Sequence, residues 1–70
     1  MSTRVQRAVE GLSKNRNKLT EREQFIVERY YGLTGELRWT LQELGNRYDL
    51  TRERIRQIKK DAFMKMGVDY

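Results

Sequence analysis

The side chains best suited to recognising another molecule are concentrated between Thr51 and Lys60, in the run TRERIRQIKK. On a helix, Arg52, Glu53, Arg56, Gln57 and Lys60 share one stripe and Ile55 and Ile58 share the opposite one. Set in a DNA major groove, such a stripe can read bases. Arginine bonds guanine O6 and N7 together, glutamate accepts from the cytosine amine, and glutamine pairs with adenine. A solvated helix surface laced with Glu–Arg pairs has the same composition. Glu53 weighs against that reading, because an acid beside a polyanion is a cost unless it reads a base or orients Arg56. Arg54 stands to one side, where a phosphate contact suits it.

Reading of this kind requires a support that holds the helix outward, and the residues from Thr40 to Lys60 have the pattern of a helix-turn-helix. Leu44 and Tyr48 supply the inner face of the first helix, and Gly45 is the small residue where backbones approach. Asp49 occupies the turn, where glycine is commoner, and it is among the few residues that accept positive φ. Leu50, Ile55 and Ile58 complete the apolar contact. An ordinary helical hairpin without a DNA partner is the alternative that pattern alone leaves standing.

Start and stop signals divide the rest of the chain into two more helices. Val5, Ala8, Val9 and Leu12 form one stripe from Thr3 to Lys14, and Ser13 to Lys18 reads as a polar, basic turn. Thr20 and Glu23 make a capping box for a second helix, with Phe25, Ile26, Tyr30 and Leu33 inward and Gly32 as its left-handed stop. Thr40 and Glu43 repeat the box. Thr51 caps the last helix, which runs to about Met66 before Gly67, with Leu50 and Ile55 clamping the angle at its start. The reading is an all-α, four-helix domain with a C-terminal helix-turn-helix and no wing. Its division is an N-terminal helix and basic turn at 1–18 and the helix-turn-helix unit at 19–70, together one compact domain.

Composition narrows the function classes. The 70 residues hold no Cys, His or Pro, so disulfides and common zinc sites are excluded and helix packing must carry the fold. The net charge is +5, concentrated in residues 1–18 and 40–60. That attracts polyanions without choosing among them. No apolar run is long enough to cross a bilayer, so no membrane partner is expected, and the absence of Cys and of an export signal points to the cytoplasm. An enzyme is not expected: there is no Gly-rich phosphate loop, no His or Cys nucleophile or base, and no carboxylate pair in an apolar setting. No cofactor or metal is expected either.

The run from Thr51 to Ile58 resembles the recognition helix of region 4 in sigma-70 family RNA polymerase sigma factors. The similarity extends upstream through Thr40-Leu41-Gln42-Glu43-Leu44-Gly45, Tyr31-Gly32-Leu33 and Leu19-Thr20-Glu21-Arg22-Glu23, so that Leu19 to Met66 align. The resemblance implies a compact helical domain that holds −35 promoter DNA and docks on the flap of the polymerase β subunit. It makes Arg52, Glu53, Arg56 and Gln57 base readers, and places Arg22, Thr40, Leu41, Thr51, Arg54 and Lys60 near phosphates. Tyr31, Met64 and Met66 are expected to line the flap contact, the alternative for Met66 being the core. After Ile58 the chain departs from the acidic-then-basic run of primary sigma factors, reading Lys59-Lys60-Asp61 instead. Gln42 and Asn46 also replace the charged residues common there.

No segment resembles the region that melts the −10 element, so the chain is not expected to be a complete sigma factor. Three roles fit the residues: a free-standing or excised region 4 that binds −35-like DNA and polymerase together; a protein that occupies the β-flap and displaces host sigma, with little DNA binding; and a helix-turn-helix regulator that needs no polymerase. A phage or mobile-element regulator suits the first two. The expected partners are double-stranded promoter DNA and the polymerase core, with another sigma or anti-sigma protein as a further candidate. The place of action is the cytoplasm at the nucleoid, or the host cytoplasm for a phage product.

Overall fold

The structure is a computed structural model that describes residues 3–35 and 37–70; Met1 and Ser2 of the expected N-terminal segment, and Glu36 of the central connection, lie outside them. Among the described residues there are four α-helices: α1 (Arg4–Asn15), α2 (Glu21–Tyr31), α3 (Leu41–Tyr48) and α4 (Arg52–Met66). A single 3-10 turn at Arg16–Lys18 follows α1, inside the stretch expected as an irregular polar turn.

Each helix starts where a threonine can satisfy a free backbone N–H. Thr20 and Glu23, and Thr40 and Glu43, form the reciprocal capping boxes expected, and Thr3 with Gln6 forms a third that the sequence reading passed over. Thr51 caps α4 alone, accepting from the Arg54 N–H. Each such cap contributes about 1 kcal/mol. Gly32, Asp49 and Gly67 end α2, α3 and α4 in the left-handed conformation, and Asp49 at φ 56° is the one non-glycine among the described residues at positive φ.

Two apolar clusters join the helices. Ala8 and Leu12 of α1 meet Leu19, Val27, Tyr31, Ala62, Phe63 and Met66 in one. In the other, Ile26, Leu44, Ile55 and Ile58 clamp α3 onto α2 and α4, with Phe25, Trp39 and Tyr48 around them. Phe25 receives Trp39 and Tyr48 in edge-to-face contacts at 5.3 and 5.9 Å. The Trp39 N–H donates to the Arg29 carbonyl at 2.9 Å, which pins the connection to the end of α2 just before α3 begins.

Three expectations about the core are corrected. Val5 and Val9 do not complete the inward stripe of α1: they are 38% and 50% exposed, because α4 covers only the Ala8–Gly11–Leu12 side. Leu33 lies beyond the end of α2 and is only half-buried. Tyr31 and Met66, expected at a partner contact, are 8% and 1% exposed, and both pack inside the first cluster. Met66 is held there by α1, whose Gly11 passes so close that a Cβ would sit 2.9 Å from the Met66 sulfur.

One ion pair ties the core to the surface. The Glu23 carboxylate bonds back to the Thr20 N–H at 2.8 Å and accepts from Lys65 Nζ of α4 at 2.7 Å. Burial pushes its pKa up, but the bonds from Lys65 and Thr20 outweigh burial and hold it below the ordinary carboxylate value.

Candidate nucleic-acid interface

The α3–α4 turn determines where the candidate reading side chains point. Leu44, Ile55 and Ile58 draw one side of α4 inward, and Gly45 lets the turn close against α3, with the Leu50 N–H bonded to the Gly45 carbonyl at 2.8 Å. The opposite side of α4 is therefore presented to solvent. Arg52, Glu53, Arg56, Gln57 and Lys60 are all exposed along it.

Within this stripe only one pair is made. Arg56 donates through Nε to Glu53 at 3.0 Å and through Nη2 to the other carboxylate oxygen, a two-pronged contact one turn apart. The bond from Arg56 lowers the Glu53 pKa and its partner raises that of Arg56, so both remain charged. The planar guanidinium is thereby held in one posture with donors left over for another acceptor. Among the described residues, no side-chain hydrogen bond or ion pair holds Arg52, Arg54, Gln57 or Lys60.

Two grooves flank the stripe, and between them they gather most of the residues expected near phosphates. Arg22 of α2 and Arg54 of α4 line one, together with Thr20, Asp61 and the 67% exposed Met64. Thr40 and Leu41, at the start of α3, line the other with Arg52. Helical spacing explains the division: Arg54, Ile58, Asp61 and Lys65 follow one edge of α4, while Arg52 and Lys59, two turns apart, follow the other. Thr51 is exposed, but its hydroxyl is occupied as the cap of α4. An exposed helix face flanked on both sides by arginines has the form needed to meet a groove between two phosphate backbones.

Sequence reasoning missed Lys59. The sequence gives it no role beyond the departure after Ile58; in the structure it is 3% exposed, with its ammonium 4.0 Å from the centre of the Tyr30 ring and 5.1 Å from that of Tyr70. The available signal is its position four residues after Ile55, on the margin of the apolar stripe. Burial holds the neighbouring Tyr31 phenol above its ordinary pKa, against the opposing pull of Lys59.

These features define a small helical domain built around a helix-turn-helix. Residues 17–66 match the family model described as "Sigma-70, region 4". The chain belongs to the sigma-70 region 4 family, a family of DNA-binding regulatory domains and not of enzymes. It is 44% identical over 50 residues to RNA polymerase sigma factor SigA4 of Synechococcus elongatus, covering 71% of this chain and 16% of that protein. Sigma factor SigA of Clostridium acetobutylicum is 42% identical over 57 residues, and SigA of a Nostoc species 40% over 57; both cover 81% of this chain and 15% of the relative. The chain thus spans about a sixth of the length of these relatives. No solved structure is significantly similar to it.

Proposed function

We propose that this domain binds −35-type promoter DNA through α4 and docks on the β-flap of RNA polymerase. Arg52, Glu53, Arg56 and Gln57 read base edges, while Arg22, Thr40, Leu41, Thr51, Arg54 and Lys60 hold phosphates. The observation that carries this reading is the outward stripe of α4 between two grooves that bring Arg22 to Arg54 and Thr40 to Arg52. The pairing of Glu53 with Arg56 supports a base-reading role for both, since it organises a guanidinium at the cost of placing an acid where a pure phosphate surface would have none. A role confined to occupying the flap would leave this stripe without a task.

The polymerase contact is assigned to a different surface from the one expected. With Tyr31 and Met66 in the core, and Met64 in the groove beside Arg22 and Arg54, the surface we assign to docking is the outer side of α1, where Val5 and Val9 are both open; Leu37, open as well, stands apart in the connection before α3. There Val9 and Leu12 form a shallow groove with Leu33 and Arg16. Docking there leaves α4 free, so DNA and polymerase can be held together. Residues 1–18, with Leu33 beside them, then serve docking, and the remainder of residues 19–70 serves DNA, within one compact unit. No described helix is long and apolar enough to cross a membrane, and we place the domain's action at cytoplasmic DNA.

The test is capture of polymerase core by the tagged 70-residue chain, run beside binding to a −35-like duplex. Wild-type chain is expected to retain both. Val9→Asp is expected to abolish capture while leaving duplex affinity within about twofold, as an exposed substitution distant from DNA should. Capture that survives deletion of the flap tip would overturn the docking assignment.

A further inference from the structure

α1 is joined to the domain differently from the other helices. Its buried residues are Ala8, Gly11 and Leu12, only the last of them large, while Val5 and Val9 stay open. It contributes to the cluster around Phe63 alone. Among the described residues, none of α1 enters the second cluster, which clamps α3 onto α2 and α4. The core of the helix-turn-helix is therefore complete without α1. A helix that buries so little apolar surface is held weakly by that surface, and other contacts must fasten it.

Those contacts lie at the two ends of α1, and both reach main-chain oxygens at or beyond the end of α4. Asn15 donates through Nδ2 to the Met66 carbonyl at 2.8 Å. At the other end, Arg4 donates through Nε to the Tyr70 main-chain oxygen at 2.8 Å, and its guanidinium carbon stands 4.5 Å from the centre of the Tyr70 ring. Residues 67–70 are shaped for this contact. Gly67 turns the chain at φ 73°, and the Val68 N–H bonds back to the Phe63 carbonyl at 3.3 Å. The Tyr70 ring then meets Phe63 edge-to-face at 5.2 Å, with the Lys59 ammonium 5.1 Å from its centre. One aromatic ring thus carries contacts to both α1 and α4.

We propose that residues 67–70 act as a latch on α1. With Tyr70 seated against Arg4 and Phe63 the helix is held; when Tyr70 lifts, α1 leaves as a unit while the helix-turn-helix stays folded. Local opening of this kind is expected where one element adds few buried contacts to a core that is complete without it. The latch bears on function because α1 carries Val5 and Val9, the surface assigned above to docking. A partner seated across α1 and Leu33 binds only the closed form, so docking and latching favour each other. That consequence rests on the docking proposed above; the latch itself does not.

The test is amide hydrogen exchange of the intact 70-residue chain, read by mass spectrometry over peptide segments. Tyr70→Ala and Arg4→Gln should each speed exchange in α1 roughly tenfold, the effect of losing an aromatic or cation–aromatic contact, and leave exchange in α3 within about twofold of wild type. Tyr70→Phe keeps the ring and the main-chain oxygen and should behave as wild type. The double variant should open α1 by clearly less than the product of the two single effects, because both remove one shared contact. Arg4 is exposed, so its variant keeps the test decisive even if Tyr70→Ala loosens the core. Equal acceleration in α1 and α3, or none in α1, would overturn the latch.

Exchange measured with saturating polymerase core separates the latch from the docking reading. Core that seats on α1 should slow exchange there in wild type and in Tyr70→Ala alike, since it holds the closed form. Core that is captured without slowing α1 would remove the docking assignment, while the free-chain comparison would still decide the latch.

Discussion

Gly45 and Leu50 stand in direct backbone apposition across the α3–α4 turn: a Cβ built on Gly45 would lie closer than 3.0 Å to the Leu50 carbonyl oxygen. The obstruction is main chain, which cannot swing aside as a side chain would. The turn that orients the reading helix thus depends on a missing methyl group. Gly45→Ala is expected to destabilise the domain by about 1–3 kcal/mol through overpacking, despite the better helix propensity of alanine. Urea denaturation checks this, and a variant as stable as wild type would show that the turn can close in another way.

Asp49 ends α3 at φ 56° and ψ 45°, which glycine adopts freely and β-branched residues resist. Asp49→Gly is expected to leave stability within about 1 kcal/mol of wild type, and Asp49→Val to lower it by more than that. The measurement is the shift of the unfolding midpoint. Equal losses in both variants would mean that the aspartate side chain, and not the backbone conformation, is what the turn requires.

Most of the architecture could be read from local chemistry. Thr20, Thr40 and Thr51 cap where their spacing to the following residues predicted, because capping is decided within one turn of chain. The outward placement of Arg52, Glu53, Arg56 and Gln57 was legible for a similar reason, since helical periodicity alone sets them opposite Ile55 and Ile58. What could not be read was set by packing between distant segments. Val5 and Val9 have the periodicity of a core stripe, but the neighbour that would cover them is absent among the described residues. Met66 is buried because Gly11 admits α1 close to the end of α4, a contact 55 positions apart in sequence with no local signature, and Tyr31 because Phe63 of α4 packs against its ring. Lys59 combines a charged side chain with a core-margin position, and only the arrival of Tyr30, Tyr31 and Tyr70 from elsewhere resolves which prevails.

The corrected places of the two methionines predict opposite behaviour. Met66→Ala removes a fully buried side chain and is expected to cost about 2–5 kcal/mol, whereas Met64→Ala at the surface should change stability by less than about 0.5 kcal/mol. Thermal or urea unfolding of the two variants provides the comparison. Similar effects at both positions would contradict the packing of α1 on α4.

Acid sensitivity should pass through Glu23. Its folded pKa lies below the ordinary value, so the stabilisation it gives is complete above the unfolded carboxylate pKa of about 4.3 and is lost as pH falls through and below that value. Glu23→Gln cannot titrate and is expected to show a flatter decline of stability in that window, with lower stability than wild type at neutral pH. The check is a series of urea midpoints between neutral and acid pH. Parallel wild-type and variant curves would show that the Lys65 contact does not couple to folding.

The central claim, that the outer stripe of α4 reads bases, is tested most directly by Arg56→Ala binding to a −35-like duplex and to a scrambled duplex of the same length and salt. Arg56 is exposed and its loss leaves the core intact. The expected result is a loss of about 1–3 kcal/mol on the promoter duplex and much less on the scrambled one, so that the ratio between them falls. Equal weakening on both duplexes would make Arg56 a phosphate contact and contradict the reading.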